Sequence, residues 1–226
     1  RMKVLDESRS EFVSNVSHEL KTPMTSMKVL ADSLVGQQGV PEELYQEFMH
    51  DITAEIDREN RIITDLLTLV KMDKKNADLQ IQHMSINQLL EDILKRLRPI
   101  ADKRSIDLIL DSFRPVEADV DELKFTSAIS NLVENAIKYN VDDGWVRVSL
   151  DADHKYFYVT VADSGMGIPE DSLSRIFERF YRVDKSHSRE IGGTGLGLAI
   201  TRSTIGMHHG VIKVFSKEGE GTTFSV

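Results

Sequence analysis

The chain has no cysteine. That excludes disulfides, thiolate nucleophiles and cysteine-based zinc sites, and it is compatible with a reducing compartment. It also has no excess of positive charge. The formal net charge of -9 argues against nucleic acid as the main partner, because phosphate backbones reward clustered cations. No apolar run is long enough to cross a bilayer, and no signal-peptide pattern is visible. The sequence opens at Arg1 inside a helical pattern and stops at Val226 inside a strand pattern. We therefore expect a piece of a longer protein, with any membrane contact running through segments absent from this chain. What remains, at 40% hydrophobic and 29% charged over 226 residues, is the composition of a globular protein with one large domain or two modest ones.

The stretch that organises the rest is Ser17-His18-Glu19-Leu20-Lys21-Thr22-Pro23. It lies in an amphipathic pattern with apolar residues at Phe12, Val16, Leu20, Met27, Leu30 and Leu34. His18 falls between Val16 and Leu20 and points away from that stripe, with Glu19 beside it and Thr22 one turn on. Pro23 removes the amide that would bond the carbonyl of Glu19, so a bend is expected just past the histidine. A protruding imidazole next to a carboxylate suits a nucleophile offered to something outside the helix. A solvated surface histidine is the alternative that this stretch alone leaves open.

The first helix is expected over about 4–36, with a break at Gly36–Pro41 and a second helix from Pro41 to about Met72. Ile52, Ile56, Ile63, Leu66 and Val70 keep a heptad-like beat, interrupted by Glu59. Such narrow stripes are best buried by a second copy, giving a dimeric four-helix bundle; packing on the rest of the same chain is the alternative. Residues 74–84 read as a linker between the hairpin, 1–73, and a second domain, 85–226.

Ser85-Ile86-Asn87-Gln88 has the form of a capping box, followed by a helix carrying Leu89, Leu90, Ile93, Leu97 and Ile100, with Pro99 near its end. A strand is expected over 106–110 and a helix over 121–139. On that helix Asn131, Asn135 and Lys138 share a face away from Phe125, Ile129, Leu132, Val133 and Ala136. Carboxamide oxygens can complete a Mg²⁺ shell and an ammonium can meet an anion. An unliganded polar face is the alternative.

Two alternating strands over 145–150 and 156–162 form a hairpin that ends in Asp163-Ser164-Gly165-Met166-Gly167-Ile168-Pro169. A carboxylate there can accept from an exocyclic amine while bare backbone lets a flat base approach. A short helix is expected over 169–182, then a polar loop over 183–192. Gly192-Gly193-Thr194-Gly195-Leu196-Gly197-Leu198 opens a further helix reaching about His208, with its amides free for an anion. Gly210 is the expected C-cap, and strands over 211–216 and 222–226 close the chain.

In this order the segments resemble the boxes of the two-component sensor histidine kinases. Ser17–Pro23 is similar to their H box and Asn131–Tyr139 to their N box. Asp163–Gly167 is similar to G1, Ile176–Arg182 to the F box, Gly193–Leu198 to G2, and Gly219-Glu220-Gly221-Thr222-Thr223 to the last glycine box. The resemblance spans nearly the whole chain. It departs at His209, where the family often has glycine.

The resemblance implies a helical hairpin forming a dimeric four-helix bundle, then an α+β two-layer sandwich that binds ATP with Mg²⁺, with a mixed sheet under helices and a lid over 183–192. It implies His18 as phosphoacceptor, Glu19 as base, Thr22 as the residue orienting water for phosphatase work, and Arg182 against developing phosphoryl charge. Asn135 and Asn131 are implied for Mg²⁺, and Lys138 and Tyr139 for phosphates or ribose. Asp163, Gly165 and Gly167 are implied around the base, the amides around Gly193, Gly195, Gly197 and Leu198 around the phosphates, and Ile168, Thr194, Leu196 and Thr223 as further nucleotide-binding residues. The implied partner is the receiver domain of a response regulator, and the implied setting is the cytoplasmic side of a membrane-anchored bacterial receptor. A nucleotide-gated scaffold without transfer would need a broken H or N box, and neither is seen. The related chaperone and topoisomerase ATPases share the nucleotide fold but lack the His18 hairpin.

Overall fold

The computed structural model describes residues 2–35, 39–72, 79–183 and 193–226, with side chains described from Phe12 onward. The core of the expected break at 36–38, the stretch 73–78 of the expected linker, and 184–192 of the expected lid lie outside the described residues. The chain divides into two units, Arg1–Thr68 and Leu69–Val226.

The first unit holds α1 (Met2–Val35) and most of α2 (Glu42–Met72). Pro23 lies inside α1, which runs on past it. Several hydroxyls along this helix turn back onto its carbonyls. Ser17 Oγ donates to the Val13 carbonyl at 2.9 Å, Thr22 Oγ1 to that of His18 at 3.1 Å, and Thr25 Oγ1 to that of Lys21 at 2.8 Å. The Tyr45 N–H bonds the Pro41 carbonyl at 3.0 Å, and Glu42 and Glu43 sit in the first turn of α2, facing the positive end of its dipole. Met49, Ile56, Ile63 and Val70 are all at least 40% exposed. They recur every seven residues, so α2 carries a heptad row of apolar side chains still in contact with solvent.

The second unit runs β1 (Ile81–Ser85), α3 (Ile86–Asp102), β2 (Asp107–Ser112), β3 (Glu117–Asp121), α4 (Glu122–Lys138), β4 (Trp145–Ala152), β5 (Phe157–Asp163), α5 (Glu170–Leu173), α6 (Gly197–Met207), β6 (Lys213–Lys217) and β7 (Gly221–Ser225). The main sheet has the order β2-β4-β5-β7-β6, with β2 parallel to β4 and the other pairs antiparallel. Along β4, Val146, Val148 and Leu150 are buried while Trp145 and Arg147 are exposed, the period-two pattern of a sheet covered on one face. α3, α4 and α6 cover that face. Ile129, Leu132 and Val133 of α4 are fully buried, and truncating one of them to alanine costs ~2–5 kcal/mol.

β1 and β3 form a separate antiparallel ribbon, His83 opposite Asp119. Neither strand was expected, and residues 81–84 of the expected linker are β1. Their apolar residues are few because one face is wet. Met84, Ala118 and Val120 face the core, while His83, Glu117 and Asp119 face solvent.

At the start of α3, Ser85 Oγ accepts from the Gln88 N–H at 3.3 Å. The Gln88 side chain turns to Asp92 instead of back to Ser85, so half of the capping box forms. The helix expected over 169–182 shrinks to α5, four residues long. Further along, Phe180 takes a left-handed φ of 65° and its N–H bonds the Gly195 carbonyl at 2.8 Å, a tie that no continuous helix could make. At the end of α6 the left-handed residue is His209, φ 60°, not Gly210. The N–H groups of His209 and Gly210 bond the carbonyls of Gly206 at 3.0 Å and Ile205 at 2.9 Å, a Schellman closure with histidine where glycine is cheapest.

Candidate functional site

His18 is exposed on α1 and Glu19 is half-buried beside it. Thr22 lies one turn on, also exposed, its hydroxyl on the His18 carbonyl. The imidazole is therefore open to a reagent from outside, with a carboxylate and a hydroxyl nearby in sequence. The remaining expected site residues all lie in the second unit.

Asp163 ends β5 and is set by its neighbours. Its Oδ1 accepts from the Gly165 N–H at 2.8 Å and the Thr222 N–H at 3.2 Å. Burial pushes its carboxyl up from 3.8 to about 6, against the pull of those two amides. No cation pairs with it among the described residues, so the group is poised for an incoming hydrogen-bond donor. A Cβ on Gly165 would come within 2.4 Å of the Tyr139 carbonyl oxygen, and one on Gly221 within 2.0 Å of the Asp163 carbonyl oxygen. The glycines let three segments meet around this carboxylate. Gly167, φ 70°, lies as close to the Lys217 carbonyl, and the Ile168 N–H donates to Ser216 Oγ at 2.8 Å.

α4 lines the other side. Asn131 Nδ2 donates to Thr201 Oγ1 of α6 at 3.0 Å, and its Oδ1 lies where a Cβ on Gly197 would have to go. Asn131 thus braces α4 on α6. The half-buried Asn135 carboxamide makes no hydrogen bond among the described residues, which leaves its oxygen available to a cation. Lys138 and Tyr139 follow at the helix end, and the Tyr139 hydroxyl is 3.3 Å from the position of a Cβ on Gly193. The α4 end and the glycine-rich segment are therefore neighbours. Leu196 is fully buried and provides no side-chain cap for α6, so among the described residues the first amides of that helix are without a side-chain cap and suit an anion. Thr194 Oγ1 accepts from the Leu196 N–H at 3.2 Å, Leu198 starts the first turn, and Gly195, φ 72°, packs on the Phe180 backbone. Arg182 is half-buried at the edge of the described residues.

Thr223 sits apart from this group. Thr222, not Thr223, turns its side chain to the Asp163 side, bonding Ser216 Oγ at 2.8 Å. Alternation along β7 sends Thr223, register partner of Ala162 and Phe215, to the opposite face.

Sequence reasoning also passed over Asn140. It is 4% exposed, with Nδ2 donating to the carbonyls of Ala136 and Trp145 and Oδ1 accepting from the Val141 N–H and Ser164 Oγ. A polar residue just past a helix C-terminus was the available signal.

Two family models match. "His Kinase A (phospho-acceptor) domain" matches residues 8–75 and "Histidine kinase-, DNA gyrase B-, and HSP90-like ATPase" matches 120–226. The Sensor histidine kinase WalK of Bacillus subtilis is 35% identical over 98% of this chain and 36% of its own length. The Sensor protein kinase WalK of Staphylococcus aureus is 36% identical over 98% of the chain and 54% of its own. The chain thus spans between a third and somewhat over half of these relatives. Histidine kinase ThkA, solved in complex with the response regulator protein TrrA, aligns at TM-score 0.78 and 24% identity over 95% of this chain and 60% of that one. The Acinetobacter baumannii histidine kinase AdeS aligns at 0.73 and 22% over 92% and 96%. These two likenesses concern the fold.

Proposed function

The chain belongs to the histidine kinases of two-component systems, and we propose that it is the autokinase core of such a protein. In this reading the second unit binds Mg-ATP and the His18 imidazole attacks the γ-phosphorus. A nitrogen–phosphorus bond forms, the bond from the γ-phosphorus to the bridging oxygen breaks, and ADP leaves. Glu19 takes the proton from the other ring nitrogen, which keeps the attacking nitrogen's lone pair directed outward. The phosphoryl group then passes to an aspartate of a response regulator. The observation that carries the proposal is the conjunction of an exposed imidazole beside a carboxylate with a buried carboxylate, Asp163, set among close-packed glycines in the second unit.

Several features support the fit. The buried Asp163 carboxylate matches an exocyclic amine, and glycines leave the adjoining backbone bare for the base. The uncapped α6 N-terminus suits phosphates. Asn135, whose oxygen has no other partner among the described residues, would hold Mg²⁺, with Asn131 beside it on the same helix face. When bound, that ion would offset the triphosphate's charge. Lys138 and Tyr139 would meet phosphates or ribose, and Arg182 would oppose charge developing on the transferring group.

The exposed heptad row of α2 fits a second copy of this chain, completing a four-helix bundle. Thr22 would orient the water that removes phosphate from the regulator, so the same hairpin would serve kinase and phosphatase. The chain would work on the cytoplasmic side of a membrane-anchored bacterial receptor. Incubation with γ-labelled Mg-ATP is expected to leave an acid-labile, base-stable label that vanishes in His18→Ala. A label that survives this substitution refutes the assignment.

A further inference from the structure

We infer that Arg104 is a positioning residue for adenine recognition, acting from outside the cleft through the C-terminus of α4; the inference rests on the nucleotide-binding reading above. Arg104 lies in the turn between α3 and β2. Its Nη1 donates to the carbonyls of Ile137 at 2.8 Å and Lys138 at 2.9 Å. Its Nη2 donates to the Asn140 carbonyl at 2.8 Å and to Asp142 Oδ1 at 3.1 Å, and Nε reaches the same Asp142 oxygen at 3.3 Å. The Asp143 N–H returns to the Arg104 carbonyl at 3.4 Å, with Asp143 at a left-handed φ of 59°. One guanidinium thus gathers the carbonyls that a helix end leaves without intrahelical donors, and it places a cation at the negative end of the dipole.

What it fixes is the edge of the base pocket. Asn140, whose carbonyl Arg104 holds, accepts through Oδ1 from Ser164 Oγ at 3.0 Å, and Ser164 directly follows Asp163. The Tyr139 carbonyl accepts from the Met166 N–H at 3.1 Å and lies where Gly165 admits no Cβ. The end of α4 and the Asp163–Gly167 turn are therefore welded side by side, and the outermost bond set in the weld is that of Arg104. Released from Arg104, the segment 137–142 would carry Asn140 and Ser164 with it and shift the carboxylate against the base. The open N-terminus of α6, which the functional reading gives to phosphates, lies outside this chain of bonds, while Lys138 and Tyr139 lie within the segment 137–142. The defect should therefore fall on nucleotide affinity, through the base and the Lys138 and Tyr139 contacts, more than on the transfer step.

Lysine keeps the charge but not the fork and can satisfy only part of this set. In the whole 226-residue chain, Arg104→Ala is expected to raise KM for ATP about tenfold or more with kcat at saturating ATP within about twofold, and Arg104→Lys is expected to fall between. ADP should lose affinity by the same factor as ATP, since both carry the adenine. A variant that merely unfolds in part would lose kcat along with its melting temperature and keep KM. If Arg104→Ala does not fold, Arg104→Lys decides. Unchanged KM, or a loss confined to kcat, with an active wild-type chain overturns this inference alone. A wild-type chain that fails to bind ATP overturns the functional reading and this inference together.

Discussion

Replacing Asp163 by asparagine is expected to strengthen the nucleotide-free protein while abolishing its use of ATP. The carboxyl is raised from 3.8 to about 6 because burial disfavours its charge, and the two amides it accepts from do not make up the difference. Below pH ~4 the group is protonated in both states and costs nothing; between ~4 and ~6 the unfolded chain ionises and the folded one resists. Above ~6 the full penalty is present, about two pH units or ~3 kcal/mol. An amide oxygen can accept from Gly165 and Thr222 as the carboxylate does, without the charge. Asp163→Asn should therefore melt roughly 6–12 °C higher than wild type near pH 8, with little difference near pH 4. Thermal unfolding without nucleotide, followed by circular dichroism at both pH values, reads this directly. The same melts with Mg-ATP should show stabilisation of wild type and none of the variant, because the acceptor for the adenine amine has lost its charge and gained a competing donor. Wild-type affinity for ATP should also weaken as pH falls through about 6. An equal gain at both pH values would refute the desolvation argument, and full ATP stabilisation of the variant would remove Asp163 from base recognition.

Three further outcomes follow from local geometry. His209→Gly should add ~0.5–1 kcal/mol in urea unfolding, because glycine takes the φ of 60° without the strain histidine bears; a lower midpoint would mean the imidazole makes an offsetting contact. His83 lies between Asp119 at 2.7 Å and Glu117 at 3.2 Å, both acceptors, so its ring is held protonated and its pKa raised, chiefly by Asp119. Its stabilisation is whole below the unfolded value near 6.5 and is lost as pH rises through the higher folded value, so the melting difference between wild type and His83→Gln should close on the alkaline side, and a gap that widens there contradicts the pairing. Thr22→Ala should slow regulator dephosphorylation more than autophosphorylation, and equal losses would point to damage in α1 in place of a lost water contact.

The fold was legible where one physical signal dominated. The heptad-like beat of Ile52, Ile56, Ile63, Leu66 and Val70 marks one apolar row along α2, and the alternation of Val146, Val148 and Leu150 comes from burial on a single face of the sheet; sequence shows both directly. β1 and β3 escaped because only Met84, Ala118 and Val120 face inward and the outer row is charged, so the ribbon reads as polar linker. The helix expected over 169–182 failed for a tertiary reason, the bond of the Phe180 N–H to Gly195, which no local propensity encodes. At the candidate site, Asp163 and the glycines stood out in the sequence because their chemistry is written in residue type. Which of Thr222 and Thr223 shares the face of Asp163 was not legible, since a strand's facing depends on register. Arg104 and Asn140 were invisible for a different reason: they act on backbone carbonyls far away in sequence, and a carbonyl has no identity in the sequence.

The central claim is that one unit offers His18 and the other delivers the phosphoryl group to it. Mass spectrometry under neutral conditions, after incubation with Mg-ATP, tests this most directly. The expected result is a single phosphoramidate on His18 in wild type, lost in Asn135→Ala and retained in His209→Gly. A phosphate ester on a hydroxyl residue, or an unmodified chain at saturating nucleotide, would contradict it.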